Sequence, residues 1–243
     1  MPRLQITLAA AAWIFGTLGA DVGTSAQVQP RPAVIELFTS EGCSSCPPAE
    51  AYLGELALRP DVLALAFHVN YWDALGWRDL FEVPEAVPRQ RNYAKRLHLP
   101  SIYTPQLVVD GRVDFVGSDR KAIAAALRER RQGVAVTFTV REGREGDIQI
   151  DLPAQEGGGP CDVLLIAYRR SAISAIGRGE NAGRTLTEYG IVRSVQNLGA
   201  WSGRAQQFHS ALKSLPTDAT DGAVLIQEAG QAAIVGAATH ALH

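Results

Sequence analysis

The chain contains little cysteine, almost no methionine and no excess of charge of either sign. Its 243 residues include three cysteines and one methionine, and 23 basic residues nearly balance 25 acidic ones. Three cysteines cannot build a disulfide-dense scaffold, and Met1, the sole methionine, belongs to the segment that we expect to be removed. Without a basic excess there is no electrostatic case for binding nucleic acid.

Long apolar runs are also absent beyond the N-terminus. Arg3 precedes an apolar stretch at residues 4–20, and the small residues Thr24-Ser25-Ala26 follow it. This pattern predicts a cleaved signal peptide over residues 1–26, with an uncleaved anchor as the alternative. We therefore expect a periplasmic or secreted protein that has no membrane contact after cleavage.

The first half of the chain alternates strand and helix signals. Apolar runs without alternation predict buried strands, and apolar residues at helical spacing predict the helices between them. The predicted order is β-α-β-α-β-β-α, with strands near residues 33–38, 62–69, 106–110 and 112–116, and helices near 49–56, 85–97 and 119–131. This order predicts an α/β domain with a mixed sheet and flanking helices over residues 30–132.

The composition changes after Gly133. Short segments with turn signals between them predict strands near residues 134–140, 147–152, 162–168, 186–197, 205–212, 223–227 and 232–238. Many short strands at close spacing are typical of an antiparallel β-sandwich. We therefore expect a smaller β-sandwich-like domain over residues 134–243.

The motif with the clearest chemistry is Cys43-Ser44-Ser45-Cys46, which follows a predicted strand and precedes Pro47 and a predicted helix. Amide groups at a helix start favour thiolate over thiol, so Cys43 is the expected nucleophile. Cys46 is close enough to resolve a mixed disulfide, and Ser44 and Ser45 are possible donors to the Cys43 thiolate. This hypothesis requires Cys43 to be reachable from solvent.

A second signal lies at Thr104-Pro105, directly before a predicted strand and a hairpin turn at Asp110-Gly111. With both motifs in place, residues 30–132 resemble the thioredoxin superfamily. More narrowly, segments 36–50, 104–111 and 178–184 are similar to the secreted bacterial domain-of-unknown-function family 1223.

The resemblance implies a thioredoxin-like fold, with no settled activity for the family. It also implies a cis peptide bond before Pro105, which would face the cysteines, and a substrate-binding role for Thr104 and Pro105. Gly42 stands where the thioredoxin pattern usually has tryptophan. Glu36 is a candidate for the buried acid of that pattern, and the direction of electron flow stays open.

The resulting hypothesis is an exported thiol–disulfide oxidoreductase that acts on thiol- or disulfide-bearing partners without an organic cofactor. His68 and Asp73 are further accessory candidates, and no resident metal is expected. A Cu(I) protein that uses the two thiolates with His68 is one alternative, and a redox-latched interaction module is another. A purely structural Cys43–Cys46 bond closes too short a loop to stabilise the chain much.

Two features outside this site carry weaker expectations. Cys161 is expected to be a buried apolar residue rather than a third redox thiol. Residues 177–185 are expected to form a structured loop in which Arg178 and Arg184 pair with Glu180. Such a loop would gate access if it folded over the dithiol.

Overall fold

The computed structural model describes residues 31–130, 135–143, 146–156 and 159–242. The predicted signal peptide and the glycine breaks at Gly133 and at Gly157-Gly158 lie outside the described residues. Of the helices in the described part, none combines the length and the apolar character that crossing a bilayer requires.

The first half follows the predicted order of elements. These are β1 (Ala33–Thr39), α1 (Pro47–Ala57), β2 (Val62–His68), α2 (Ala86–Arg96), β3 (Gln106–Val109), β4 (Val113–Val116) and α3 (Arg120–Glu129). Every residue of β1 and β2 is buried, as their apolar runs without alternation predict. The side chain of Asp119 caps α3 by accepting from the Ala122 amide.

These strands lie in the order β2-β1-β3-β4, with β1 and β2 parallel and the other two pairings antiparallel. Alternate residues of β1 serve opposite faces of the sheet. Leu37 packs on one face with α1 and α3, whereas Phe38 packs on the other face with Tyr93 of α2. The start of α1 therefore lies on the Leu37 face.

The second half is built of strands. They are β5 (Thr139–Glu142), β6 (Asp147–Leu152), β7 (Cys161–Ala175), β8 (Thr185–Trp201), β9 (Gln206–Ala211), β10 (Asp221–Glu228) and β11 (Ile234–Ala241). β5, β6 and β9 form a separate small sheet. It packs through Ile150 and Phe208 against Val163 of β7 and Ile226 of β10.

The other four strands of the second half continue the first sheet, which the sequence did not predict. The eight-stranded order is β11-β10-β7-β8-β2-β1-β3-β4. β8 meets β2 through a single parallel pairing, between Ala66 and Ile191. One hydrophobic cluster contains Phe67 from the first half as well as Val192 and Leu225 from the second. The mixed α/β sheet is thus present, whereas a second, β-sandwich domain is not confirmed.

Candidate functional site

The two cysteines of the motif form a disulfide at the start of α1. Their Cα atoms are 5.4 Å apart. Cys46 is the N-cap residue, and its carbonyl oxygen accepts from the amides of Ala49 and Glu50 at 2.9 and 3.1 Å. Pro47 costs no hydrogen bond at this position, because a first-turn amide has no partner inside the helix. The disulfide consequently lies at the positive end of the helix dipole.

Thr104 and Pro105 lie beside this disulfide, and the peptide bond between them is cis, as predicted. The Thr104 hydroxyl donates to Cys43 Sγ over 3.4 Å and accepts from Trp72 Nε1 at 2.8 Å. The tryptophan N–H can only donate, so the Thr104 oxygen accepts from it and the Thr104 hydroxyl proton stays available for Cys43 Sγ. Ser45 Oγ is also 3.4 Å from Cys43 Sγ.

The expectation that Cys43 is reachable from solvent is wrong for this structure. Cys43 is 0 % exposed and Cys46 is 1 % exposed, although Ser44 and Ser45 between them are exposed. Trp72 lies beside the cysteine loop, since a Cβ atom added to Gly42 would lie only 3.1 Å from Trp72 Cβ, and Trp72 Nε1 donates to the Thr104 hydroxyl that contacts Cys43 Sγ. Glycine is therefore the residue that lets Trp72 approach the cysteine loop closely.

A second structure over the motif is the turn between β7 and β8, residues 177–184, which we call the cover loop. Asn181, itself fully buried, donates from Nδ2 to the carbonyl oxygens of Glu41 and Cys43 at 2.8 and 2.9 Å. Glu180 Oε2 accepts from the Ser44 amide at 3.1 Å. The hydrogen bonds from Ser44 lower the pKa of Glu180.

The expected pairing inside this loop is wrong. Among the described residues, neither Arg178 nor Arg184 pairs with Glu180. Arg184 Nη1 instead donates to Asn181 Oδ1 at 2.9 Å, which fixes the amide so that its nitrogen faces the cysteine loop. The sequence motif at 178–184 therefore supplies contacts to the CxxC segment.

Asp73 and Trp77 contribute to the site indirectly, through contacts that position Glu41. Asp73 Oδ1 accepts from the Asp79 amide at 3.2 Å, and Asp79 Oδ2 accepts from the Glu41 amide at 2.8 Å. Trp77 Nε1 donates to Glu41 Oε2 at 2.8 Å, and the Trp77 ring packs beside Gly177 of the cover loop. The structure shows no bond from Asp73 to the disulfide; its contact shapes the segment that holds Glu41.

Glu36 does not lie under the disulfide. It is fully buried on the face covered by α2, where Arg89 Nε donates to it at 2.6 Å and the Tyr93 hydroxyl also donates to it. The cysteines lie at the start of α1, on the opposite face. The structure thus separates this accessory candidate from Cys43 and Cys46.

A buried acid does lie near Cys46, and the sequence analysis missed it. Glu50 follows Cys46 by one helical turn, a spacing that places both on one side of α1. Both line a cavity that also contacts Glu188 of β8. Burial raises the pKa of Glu50 to about 7 and that of Glu188 to about 9.

His68, the other accessory candidate, joins this acidic pair at the end of β2. His68 Nδ1 lies 3.0 Å from Asp79 Oδ2, and ligating atoms of Glu50, His68 and Glu188 all lie within 4.8 Å of one another. This group contains neither cysteine. The helical spacing of Cys46 and Glu50 was a usable signal, but nothing local in the sequence pointed to Glu188.

Comparison with known proteins gives the family. The family described as "Protein of unknown function (DUF1223)" matches residues 34–227. The match covers most of the chain, so this protein belongs to that family. Among curated proteins, none is significantly similar to it.

Two solved structures are similar to the chain. The crystal structure of an Agrobacterium tumefaciens protein, a structural genomics target, has 32 % sequence identity and a TM-score of 0.73, covering 87 % of this chain and 95 % of that one. HBP35 of Porphyromonas gingivalis has 16 % identity and a TM-score of 0.58, covering 88 % and 76 % of the two chains. The second likeness concerns the fold alone.

Proposed function

We propose that this protein is an exported thiol–disulfide oxidoreductase that exchanges disulfides with thiol- or disulfide-bearing protein partners. The observation that carries the proposal is the Cys43–Cys46 disulfide at the start of α1, with the Thr104 hydroxyl 3.4 Å from Cys43 Sγ. A helix N-terminus and a hydroxyl donor both favour a sulfur that carries negative charge. Cys43 is accordingly the nucleophile and Cys46 the resolving thiol.

The proposal includes a thioredoxin-like fold for residues 30–132. It is supported by the strand order β2-β1-β3-β4 and by helices on both faces of these strands. The position of Thr104 and Pro105 beside the disulfide also supports it. In this fold Thr104 and Pro105 are the substrate platform.

The exchange transfers two electrons between the Cys43–Cys46 pair and the two sulfurs of the partner, and it needs no other oxidant or reductant. In the reducing direction, the Cys43 thiolate attacks a partner disulfide, forms a mixed disulfide and releases one partner sulfur as a thiolate. The Cys46 thiolate then attacks Cys43 Sγ, which releases the second partner sulfur and leaves the Cys43–Cys46 disulfide. The partner gains two electrons and the protein loses two. The reverse sequence donates a disulfide to a partner dithiol.

Because Cys43 is buried, exchange also requires that a partner sulfur gain access to it. Because Cys43 is 0 % exposed, a partner sulfur reaches it only after Trp72 or the cover loop moves. The cover loop is joined to residues 41–44 by three hydrogen bonds, two from Asn181 and one to Glu180. We therefore place an opening step before exchange.

Trapping tests the proposal. The Cys46→Ala variant should accumulate mixed disulfides between Cys43 and partner proteins, which non-reducing electrophoresis and mass spectrometry will identify. A Cys46→Ala/Cys161→Ala variant is the matched control, because it should trap the same partners if the buried Cys161 plays no part. Absence of any trapped species would overturn enzymatic exchange.

The reduction potential fixes the direction. Equilibration of the Cys43–Cys46 couple with glutathione should give a value near about −270 mV for a reductase, or near about −120 mV for a disulfide donor. Tight Cu(I) binding by the reduced protein, lost in Cys43→Ser and without trapped partners, would instead favour copper delivery.

A further inference from the structure

The group at the end of β2 contains buried polar atoms that no atom of the described residues satisfies. Glu50 Oε1 and Oε2, His68 Nε2 and Glu188 Oε2 have no hydrogen-bond partner among the described residues. The three side chains are almost entirely buried, with relative exposures of 5, 0 and 1 %. A buried polar group without a partner is costly, and the cost is larger for a carboxylate. Four such atoms in one place point to a ligand between them.

We propose that Glu50, His68 and Glu188 form a binding site for a divalent first-row transition-metal ion, represented by Zn²⁺. Their ligating atoms lie within 4.8 Å of one another. Ligands about 2.0–2.2 Å from a tetrahedral zinc ion are about 3.3–3.6 Å apart, so small side-chain rotations bring these atoms to bonding distance. Metal binding displaces the protons of the two acids, and the resulting carboxylates balance the charge of one divalent ion.

One ring nitrogen of His68 contacts a carboxylate, as the second ring nitrogen of metal-binding histidines commonly does. Its Nδ1 lies 3.0 Å from Asp79 Oδ2, and Asp79 is buried. A proton on Nδ1 that is donated to the carboxylate leaves the lone pair on Nε2, which is the atom without a partner. Asp79 therefore orients the imidazole towards Glu50 and Glu188 and fixes its tautomer.

The donor set and the route of entry agree with this assignment. One imidazole and two carboxylates suit zinc, manganese or iron(II), and three protein ligands leave a coordination position open. A cavity of about 550 Å³, lined by Cys46, Glu50 and Glu188, leads to the site. The buried Thr39 hydroxyl also lacks a partner in the described part of the chain, and Thr39 pairs with His68 across the two strands.

The site does not depend on thiol chemistry, so the metal-site proposal and the proposed oxidoreductase activity can be tested separately. In the oxidised protein the disulfide holds both sulfurs and leaves no thiolate at Cys43 or Cys46 to bind zinc. The test therefore uses the oxidised, chelator-treated full chain and titrates it with Zn²⁺ by isothermal calorimetry. We expect one equivalent to bind and the thermal midpoint of unfolding to rise with zinc.

Substitutions locate the binding. Glu188→Gln and His68→Gln should each weaken zinc binding at least about 10-fold, and Asp79→Asn should weaken it about 10- to 100-fold by releasing the imidazole. His209→Gln is the control, since His209 also contacts a carboxylate, that of Asp147, but lies exposed on β9. It should bind zinc like the wild type.

Two results would overturn the site: no zinc binding by the wild type, or equal binding by the wild type and Glu188→Gln. Circular dichroism checks that each variant is folded. If His68→Gln does not fold, Glu188→Gln decides alone, because that change keeps the side-chain shape and removes a buried acid.

Discussion

At the scale of single residues, Thr104 has the most specific contact with the proposed nucleophile. Its hydroxyl accepts from Trp72 Nε1 and donates to Cys43 Sγ. A hydrogen bond to a charged group contributes about 1.5–3 kcal/mol. The same bond stabilises a Cys43 thiolate after reduction, because a thiolate accepts hydrogen bonds more strongly than a disulfide sulfur does.

Replacing Thr104 by valine keeps the shape and removes this donor. In the reduced protein at neutral pH, Thr104→Val should slow alkylation of Cys43 by iodoacetamide about 10-fold or more, because less of the sulfur is present as thiolate. Mass spectrometry of the alkylated peptide measures the rate. Thr104→Ser retains the hydroxyl and should react at nearly the wild-type rate, and equal rates for valine and serine would contradict the role.

Sequence reasoning found those site residues that share a continuous motif. The local pattern predicted Cys43 and Cys46, the resemblance to the thioredoxin superfamily implied Thr104 and Pro105, and the structure brings all four together. Glu36 was placed wrongly for a physical reason. Strand alternation assigns residues to two faces, but it does not say which face a following helix will cover.

At the scale of elements, the cover loop is the main obstacle to a partner sulfur. Asn181 holds it to the carbonyl oxygens of Glu41 and Cys43 with two hydrogen bonds, each worth about 0.5–1.5 kcal/mol. Its position depends on the register of the hairpin formed by β7 and β8, which pairs Ala175 with Thr185 on either side of the turn. Opening of the loop therefore requires loss of side-chain bonds, without separation of the strands.

Removing the Asn181 side chain should expose the disulfide more often. We expect Asn181→Ala to speed reduction of the Cys43–Cys46 bond by dithiothreitol about 5- to 100-fold, because two of the three hydrogen bonds that hold the cover loop are lost. The reaction is followed by the change in tryptophan fluorescence or by the change in protein mass that accompanies reduction of the disulfide. The exposed neighbour Arg178→Ala is the control on the same loop and should leave the rate unchanged.

Equal rates for Asn181→Ala and the wild type would show that the cover loop does not limit access, and Trp72 would then be the remaining barrier. The sequence predicted a structured loop at these residues. It did not predict the destination of the loop, because a turn signal fixes local conformation and carries no information on which distant segment the turn will contact.

At the scale of the whole molecule, the two halves of the chain share one sheet. The order of elements was predicted well in both halves, since periodicity identifies strands and helices locally. Their joining was not predicted, because strand patterns do not specify neighbours. The junction includes one parallel pairing, Ala66 with Ile191, and the packing of α1 on β8, where Gly54 leaves room for the Tyr189 ring.

Gly190 is the residue on which this junction depends. It has φ +60°, and a Cβ atom there would lie 2.3 Å from the carbonyl oxygen of Ala64 in β2. Gly190→Ala should therefore destabilise the protein by about 2–5 kcal/mol, from backbone strain together with the clash. Gly230→Ala is the matched control, because Gly230 has φ +72° and no atom of the described residues lies within 4 Å of an added Cβ. This change should cost only about 1–2 kcal/mol.

Urea unfolding measures both variants, followed by tryptophan fluorescence and by far-ultraviolet circular dichroism. Trp72 and Trp77 report on the first half and Trp201 on the second, whereas the dichroism reports on the whole sheet. If the halves unfold as one unit, the two signals should coincide in the wild type, and the midpoint should fall further for Gly190→Ala than for Gly230→Ala. Equal midpoints for the two variants would mean that the contact between β2 and β8 contributes little, and that the halves are held together chiefly by the shared core around Phe67 and Val192.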